Sequence, residues 1–293
     1  DEAEKILREA AETFGSVQAW HQLSEFYRGS GNPAQALHAI EKVIELSRGG
    51  SDELRFTQAD LLIDLGENAR AEEIAASLGE PAYATLIRGR LLLGKGDAEA
   101  ALAALDQGIR SWPNNAAARY LAGVAARATG DLERAISELR ESVRVDKHGS
   151  DAALVLAQLY FDRGDMPKAL NFANNSLTNR PQSSKEPALR LATRALTLQG
   201  RFTQAHRSVE LLREAGFERA ALVEEVALLQ REKGGEAAVA RARTSSLVLA
   251  DPANEELLRV LAEGLLSLGR SAEALREVDT ALARTPESAS LFA

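Results

Sequence analysis

Eight glycines set the outline of this chain. Gly31, Gly66, Gly96, Gly130, Gly164, Gly200, Gly234 and Gly269 recur at intervals of 35, 30, 34, 34, 36, 34 and 35 residues. An interval near 34 is the length of one helix–turn–helix unit. Such a unit cannot bury its apolar faces alone and must stack on its neighbours. Because the beat runs across nearly all 293 residues, one repetitive all-helical architecture is expected, with no separate domain.

The residues around each glycine keep the same phase. Ahead of Gly31 come Trp20, Leu23, Ser24 and Tyr27, and after it Ala36, Ile40 and Val43. Ahead of Gly269 come Leu258, Leu261, Ala262 and Leu265, and after it Ala274, Val278 and Ala281. These spacings of three and four residues are one apolar stripe on each of two successive helices. Gly96-Asp97, Gly130-Asp131 and Gly164-Asp165 place a residue suited to left-handed backbone at one helix end, then an N-cap carboxylate for the next. Pro113, Pro181, Pro252 and Pro286 each follow the small residue of a second helix (Ala101, Ala169, Ala240, Ala274) by 12 positions, where proline ends that helix. Alanine at those positions lets helices approach closely, so Ala135→Leu should cost roughly 1–3 kcal/mol by overpacking. An unshifted denaturant midpoint for that variant would refute the register.

This pattern resembles the tetratricopeptide repeat (TPR) over essentially the whole chain. The resemblance implies an all-α fold, a right-handed α-solenoid superhelix of stacked antiparallel helix pairs. Residues 1–16 read as the second helix of a truncated repeat. Repeats follow at about 17–51, 52–81, 82–115, 116–149, 150–185, 186–219, 220–254 and 255–288, and 289–293 begin another helix. Both ends fall inside the pattern, so a segment of a longer repeat protein is expected. The second repeat is short because Leu78-Gly79-Glu80-Pro81 stops its second helix about one turn early. That reads as a local bend, or as a hinge or docking notch. Gly234-Gly235 is expected to lengthen the turn of the seventh repeat.

Composition removes several classes of function. Without cysteine there is no disulfide, thiolate metal site or cysteine nucleophile. The histidines His21, His38, His148 and His206 are scattered along the chain without ligand spacing, and each periodic glycine follows a helix rather than a strand. Glu224-Glu225 and Glu255-Glu256 read as solvated surface carboxylates. No metal, cofactor or catalytic residue is expected, and the chain reads as non-enzymatic. No apolar run is long enough to span a membrane. Residues 1–81 carry a net charge of −9, and the remainder +1. An acidic first third repels phosphates, so nucleic acid is not an expected partner.

In TPR proteins the first helices line a groove, with positions 2, 5, 9 and 12 of each repeat turned into it. Carried onto this chain, the resemblance implies a partner-binding surface of Glu53, Phe56, Asp60, Tyr83, Leu86, Arg90, Tyr120, Val124, Leu154, Phe161, Arg190 and Arg194. Glu224, Leu228, Arg231, Glu256, Arg259 and Glu263 hold the same positions in the last two repeats. The aromatic members suggest anchor pockets for another protein or peptide, or packing between first helices. Arg190 and Arg194, four apart, suit a carboxylate or phosphate. His21 and Glu25 stand where chaperone-tail binders carry Lys and Asn, so that clamp is absent. Self-assembly through an acidic end and a basic sixth repeat is a rival reading, as is a regulatory arm of an enzyme or porin. The Ala-, Leu- and Arg-rich style is similar to bacterial TPR proteins of exopolysaccharide export, in periplasm or cytoplasm, with a lean to periplasm.

Overall fold

A computed structural model describes residues 2–147, 150–178, 185–245 and 255–284, which form seventeen α-helices and no strand. Pro181, Pro252, Pro286, His148 and the segment 289–293 lie outside the described residues. Contacts divide the chain into two compact units, Asp1–Ala152 and Ala153–Ala293. The first contains α1 (Glu2–Phe14), α2 (Val17–Gly29), α3 (Pro33–Leu46), α4 (Asp52–Asp64), α5 (Asn68–Ser77), α6 (Pro81–Gly94), α7 (Ala98–Ser111), α8 (Ala116–Ala128) and α9 (Leu132–Val145). The second is built from α10 (Ala152–Asp162), α11 (Met166–Ser176), α12 (Glu186–Leu198), α13 (Phe202–Glu214), α14 (Glu218–Lys233), α15 (Gly235–Arg243), α16 (Glu255–Ser267) and α17 (Ser271–Arg284).

The periodic glycines do what left-handed backbone is needed for. All eight have φ between 70° and 92°, a region that costs any residue with a Cβ. At seven of them the next residue donates its N–H back to the preceding helix, as in Asn32 N to Tyr27 O (2.9 Å) and Asp131 N to Ala126 O (2.9 Å). That bond closes a Schellman-type C-cap and satisfies a carbonyl the helix end would otherwise orphan. The following helix is then capped by the same turn. The carboxylates of Asp97, Asp131 and Asp165 accept from the N–H groups of Ala100, Arg134 and Lys168. One three-residue turn therefore ends one helix, starts the next and reverses the chain.

The seventh repeat breaks this rule, and in a way the sequence reading misjudged. Its turn is not lengthened but reduced to Gly234 alone, because α14 runs for 16 residues and α15 starts at Gly235. The reason is close packing at the second glycine. A Cβ on Gly235 would lie 2.5 Å from Ser267 Oγ and 2.9 Å from Gly264 O, so only glycine lets α15 begin against the end of α16. The short second repeat does follow its sequence. Helix α5 stops at Ser77, Leu78 is extended, and Pro81 opens α6.

Within each unit, successive first helices touch: α4 with α6, α6 with α8, α12 with α14, and α14 with α16. Second helices pack chiefly on the first helices beside them. The alanines Ala36, Ala71, Ala101, Ala135, Ala169 and Ala205 are fully buried at these crossings, where backbones meet most closely.

Ion pairs also cross from repeat to repeat. Arg90 on α6 binds Asp60 and Asp64 on α4, Arg134 on α9 binds Asp106 on α7, and Arg70 on α5 reaches Glu41 on α3. At the far end, Arg243 of α15 bonds Glu273 and Glu277 of α17. Hydrogen bonds from Arg270 and then Arg243 outweigh desolvation and hold the Glu273 carboxyl at about 2. Its folded pKa lies below its unfolded value, so this contribution is complete above the ordinary carboxylate range and disappears as pH falls through about 2. Carboxyl NMR should give a Glu273 midpoint near 2 that rises toward the ordinary range in Arg270→Ala. An ordinary midpoint in the wild type would refute the pairing.

Candidate functional site

The twelve groove positions divide between the units, and each half is a different surface. In the first unit, Phe56 and Tyr83 from adjacent first helices lie ring to ring, with centroids 5.1 Å apart. Phe56 also packs on the buried core around Leu105, Ile109 and Ala118. Leu86 belongs to that core and is itself buried, so it supports the wall and presents no surface to a partner. Asp60 and Arg90 satisfy each other across α4 and α6. Burial raises the Arg90 cost of charging, yet Asp60 and Asp64 more than compensate and keep its pKa raised. Glu53 and Tyr83 remain at the surface and share a cavity described below. Tyr120 and Val124 on α8 are half-buried.

The second unit holds a charge network that sequence reasoning did not find. Glu224 on α14, read as a solvated carboxylate, is 2% exposed. It accepts from Arg190 Nε at 2.9 Å and from Arg194 Nη2 at 2.7 Å, both on α12. Arg190 also binds Glu256 on α16 and Glu186 on its own helix. For Arg190, burial opposes the charge, but Glu256 and Glu224 overcome it and its pKa is raised. These arginines are thus largely engaged inside the unit rather than waiting for an external anion. The charges of Arg190 and Arg194 are met inside the unit by Glu224 and Glu256.

Beside this network the first helices form a cavity of about 560 Å³, within the range of ligand and side-chain pockets. Its apolar wall includes Phe161, Val223 and Val260, and its charged wall Arg194, Arg231, Arg259 and Glu263. Arg259 pairs with Glu263 at 2.6 Å. Among the described residues Arg231 has no carboxylate partner. Leu154 on α10 is half-buried and lies outside this lining. Leu228 is fully buried, and α14 lines the cavity with Val223, Glu224, Ala227, Gln230 and Arg231.

Models of the tetratricopeptide repeat match residues 17–49, 88–144, 133–184 and 256–280, together about half of the chain. The chain belongs to the TPR family. No curated protein sequence matches it. Among solved structures it is similar to the APC/C hetero-tetramer Cut9–Hcn1, with 15% identity and a TM-score of 0.65 over 99% of this chain and 57% of that one. It is also similar to PilW, a widely conserved type IV pilus biogenesis factor, with 13% identity and a TM-score of 0.55 over 73% of this chain and 97% of PilW. A third is a thermophilic TPR protein of Thermus thermophilus, with 20% identity and a TM-score of 0.51 over 62% of this chain and 99% of that protein. At these identities the likeness is one of fold. The chain spans little more than half the length of the Cut9–Hcn1 chain it matches.

TPR proteins bind other proteins and are in general non-catalytic scaffolds. Among the described residues no cluster of metal-ligating side chains occurs, and no helix is long and apolar enough to cross a membrane. In this TPR chain the positions that face one another across first helices serve two purposes. Some are bolts between repeats, such as Asp60–Arg90 and Arg190–Glu224. Others, such as Phe161, Arg194, Arg231 and Arg259, line open space.

Proposed function

We propose that this TPR chain is a non-enzymatic scaffold holding a segment of a partner protein against the first-helix wall of its second unit. The cavity beside Glu224 carries this reading. It pairs apolar surface from Phe161, Val223 and Val260 with arginines, one of which, Arg231, lacks a carboxylate partner among the described residues. A partner segment with an acidic side chain next to an apolar one fits both walls, since guanidinium–carboxylate bonds fix orientation while the apolar contact supplies burial energy. We place the scaffold in a bacterial envelope, with exopolysaccharide export as the favoured setting, on the Ala-, Leu- and Arg-rich style of its repeats.

The test is a pull-down with the wild type and with a doubly reversed Arg231→Glu, Arg259→Glu variant. Loss of a partner from the variant, with the thermal midpoint unchanged, is the expected result. A partner retained at equal yield places binding elsewhere.

A further inference from the structure

Stopping α5 one turn early leaves space on the first unit, and the walls of that space are distinctive. A cavity of about 570 Å³ opens there. Asp52 and Glu53 come from the start of α4, Glu80 and Tyr83 from the start of α6, and Trp112 from the end of α7. Trp112 is 45% exposed, although tryptophan in a free protein ordinarily buries most of its large apolar ring. Tyr83 is held from behind by Phe56, so its ring is a fixed wall. The Tyr83 phenol pKa is raised, first by burial and then by Glu53, Glu80 and Asp52; all three carboxylates therefore act on this one ring.

Two of the carboxylates also have local duties. Asp52 accepts the Glu80 N–H at 2.7 Å, and Glu80 accepts the Ala82 N–H at 3.4 Å. Such bonds, and a favourable place at helix N-termini, account for acidic residues here without any ligand. They do not account for two features. Glu53 caps nothing, since Ser51 is the N-cap of α4. Among the described residues no lysine or arginine neutralises Asp52, Glu53 or Glu80, whereas carboxylates facing the neighbouring crossings, such as Asp60 and Asp106, are paired. Three carboxylates without a counter-cation, set beside two aromatic rings in one cavity, complement a planar organic cation.

We propose that this notch binds an arginine side chain of a partner polypeptide. Guanidinium satisfies both kinds of wall, stacking on aromatic faces while donating to carboxylates in a fork geometry, which a hydrated ammonium does less well. The site is separate from the second-unit cavity, and its test needs no natural partner.

The probe is an acetylated, amidated Gly-Arg-Gly-Arg-Gly peptide, titrated into the Trp20→Phe chain so that Trp112 alone reports by fluorescence. Saturable binding below millimolar concentration is expected, weakening at least tenfold when citrulline replaces arginine. Binding should fall by a similar factor in Glu53→Gln, Glu80→Gln and be lost in Trp112→Ala (followed by calorimetry). It should weaken further as salt rises. Circular dichroism melts of each variant verify that the fold is kept, and Glu53→Gln alone serves if the double variant unfolds. No saturable binding, equal binding of the citrulline peptide, or affinity indifferent to the glutamine variants would each overturn the proposal. Equal affinity for the lysine analogue would overturn the choice of guanidinium. If the second-unit variant loses its partner while this titration fails, the notch alone is refuted.

Discussion

Glu224→Ala should destabilise the second unit by about 3–5 kcal/mol, the usual cost of removing one member of a buried ion pair. The carboxylate sits between two guanidiniums on α12, and one of them, Arg190, also bridges to Glu256 on α16. Three first helices are thus joined through one buried anion. Without it Arg190, with 18% of its side chain exposed, keeps its charge in a poorly hydrated place. Arg194 is 41% exposed and can turn to water, which favours the lower end of the range. The converse experiment separates stability from specificity. Replacing Arg190, Arg194 and Glu224 together by Met, Leu and Leu should recover most of the loss, because the buried carboxylate and both guanidiniums are removed together and only the more exposed Glu186 and Glu256 keep their charge. Urea unfolding monitored in both variants checks this. A single variant as stable as the wild type would mean the network contributes nothing, and a triple variant no better than the single would assign its value to packing.

The second large effect belongs to a repeated close approach. A Cβ on Gly123 of α8 would lie 2.5 Å from Leu139 Cγ and 3.2 Å from Ala135 O on α9. Gly123→Ala should therefore cost about 1–3 kcal/mol by overpacking, less the ~1 kcal/mol by which alanine favours a helix interior. Leu139 is fully buried, and Leu139→Ala should cost about 2–5 kcal/mol for the cavity it leaves. In the double variant the new methyl occupies part of that cavity, so the two costs should fall short of their sum by roughly 0.5–3 kcal/mol. One repeat earlier the same geometry recurs. A Cβ on Gly89 would lie 2.7 Å from Leu105 Cδ2, so a Gly89–Leu105 cycle should couple with the same sign. Strict additivity at either pair would show that the helices part rather than resist.

Much of the fold is legible in the sequence because its strongest constraints are local. A glycine at φ near 75°, a capping aspartate one residue later and a small residue at a helix crossing all act within a few positions. The groove is less legible because its chemistry depends on residues a full repeat apart. Nothing near Glu224 marks it as buried; its partners stand 30 and 34 residues earlier, and on one helix alone it looks like any solvated glutamate. Phe56 and Tyr83 illustrate the same limit: periodicity places them on one wall, but only their packing shows that they lean on each other. Trp112 lay outside the periodic reading altogether, since it follows the last turn of α7. Gly234-Gly235 was misjudged because an added residue can extend a turn or a helix, and the packing of α15 on α16 decides which.

The ion pairs that join one repeat to the next bear on how such arrays can be rebuilt. Arg90 finds Asp60, Arg134 finds Asp106 and Arg243 finds Glu273, each at a separation of 28 to 30 residues. A module cut out at the glycine turns and grafted beside a foreign neighbour would carry one half of each such bond to a place where the other half is missing. Shuffling within this array is thus constrained by matched edges, much as tiles are, and chimaeras that transplant adjoining modules together should outperform those assembled singly.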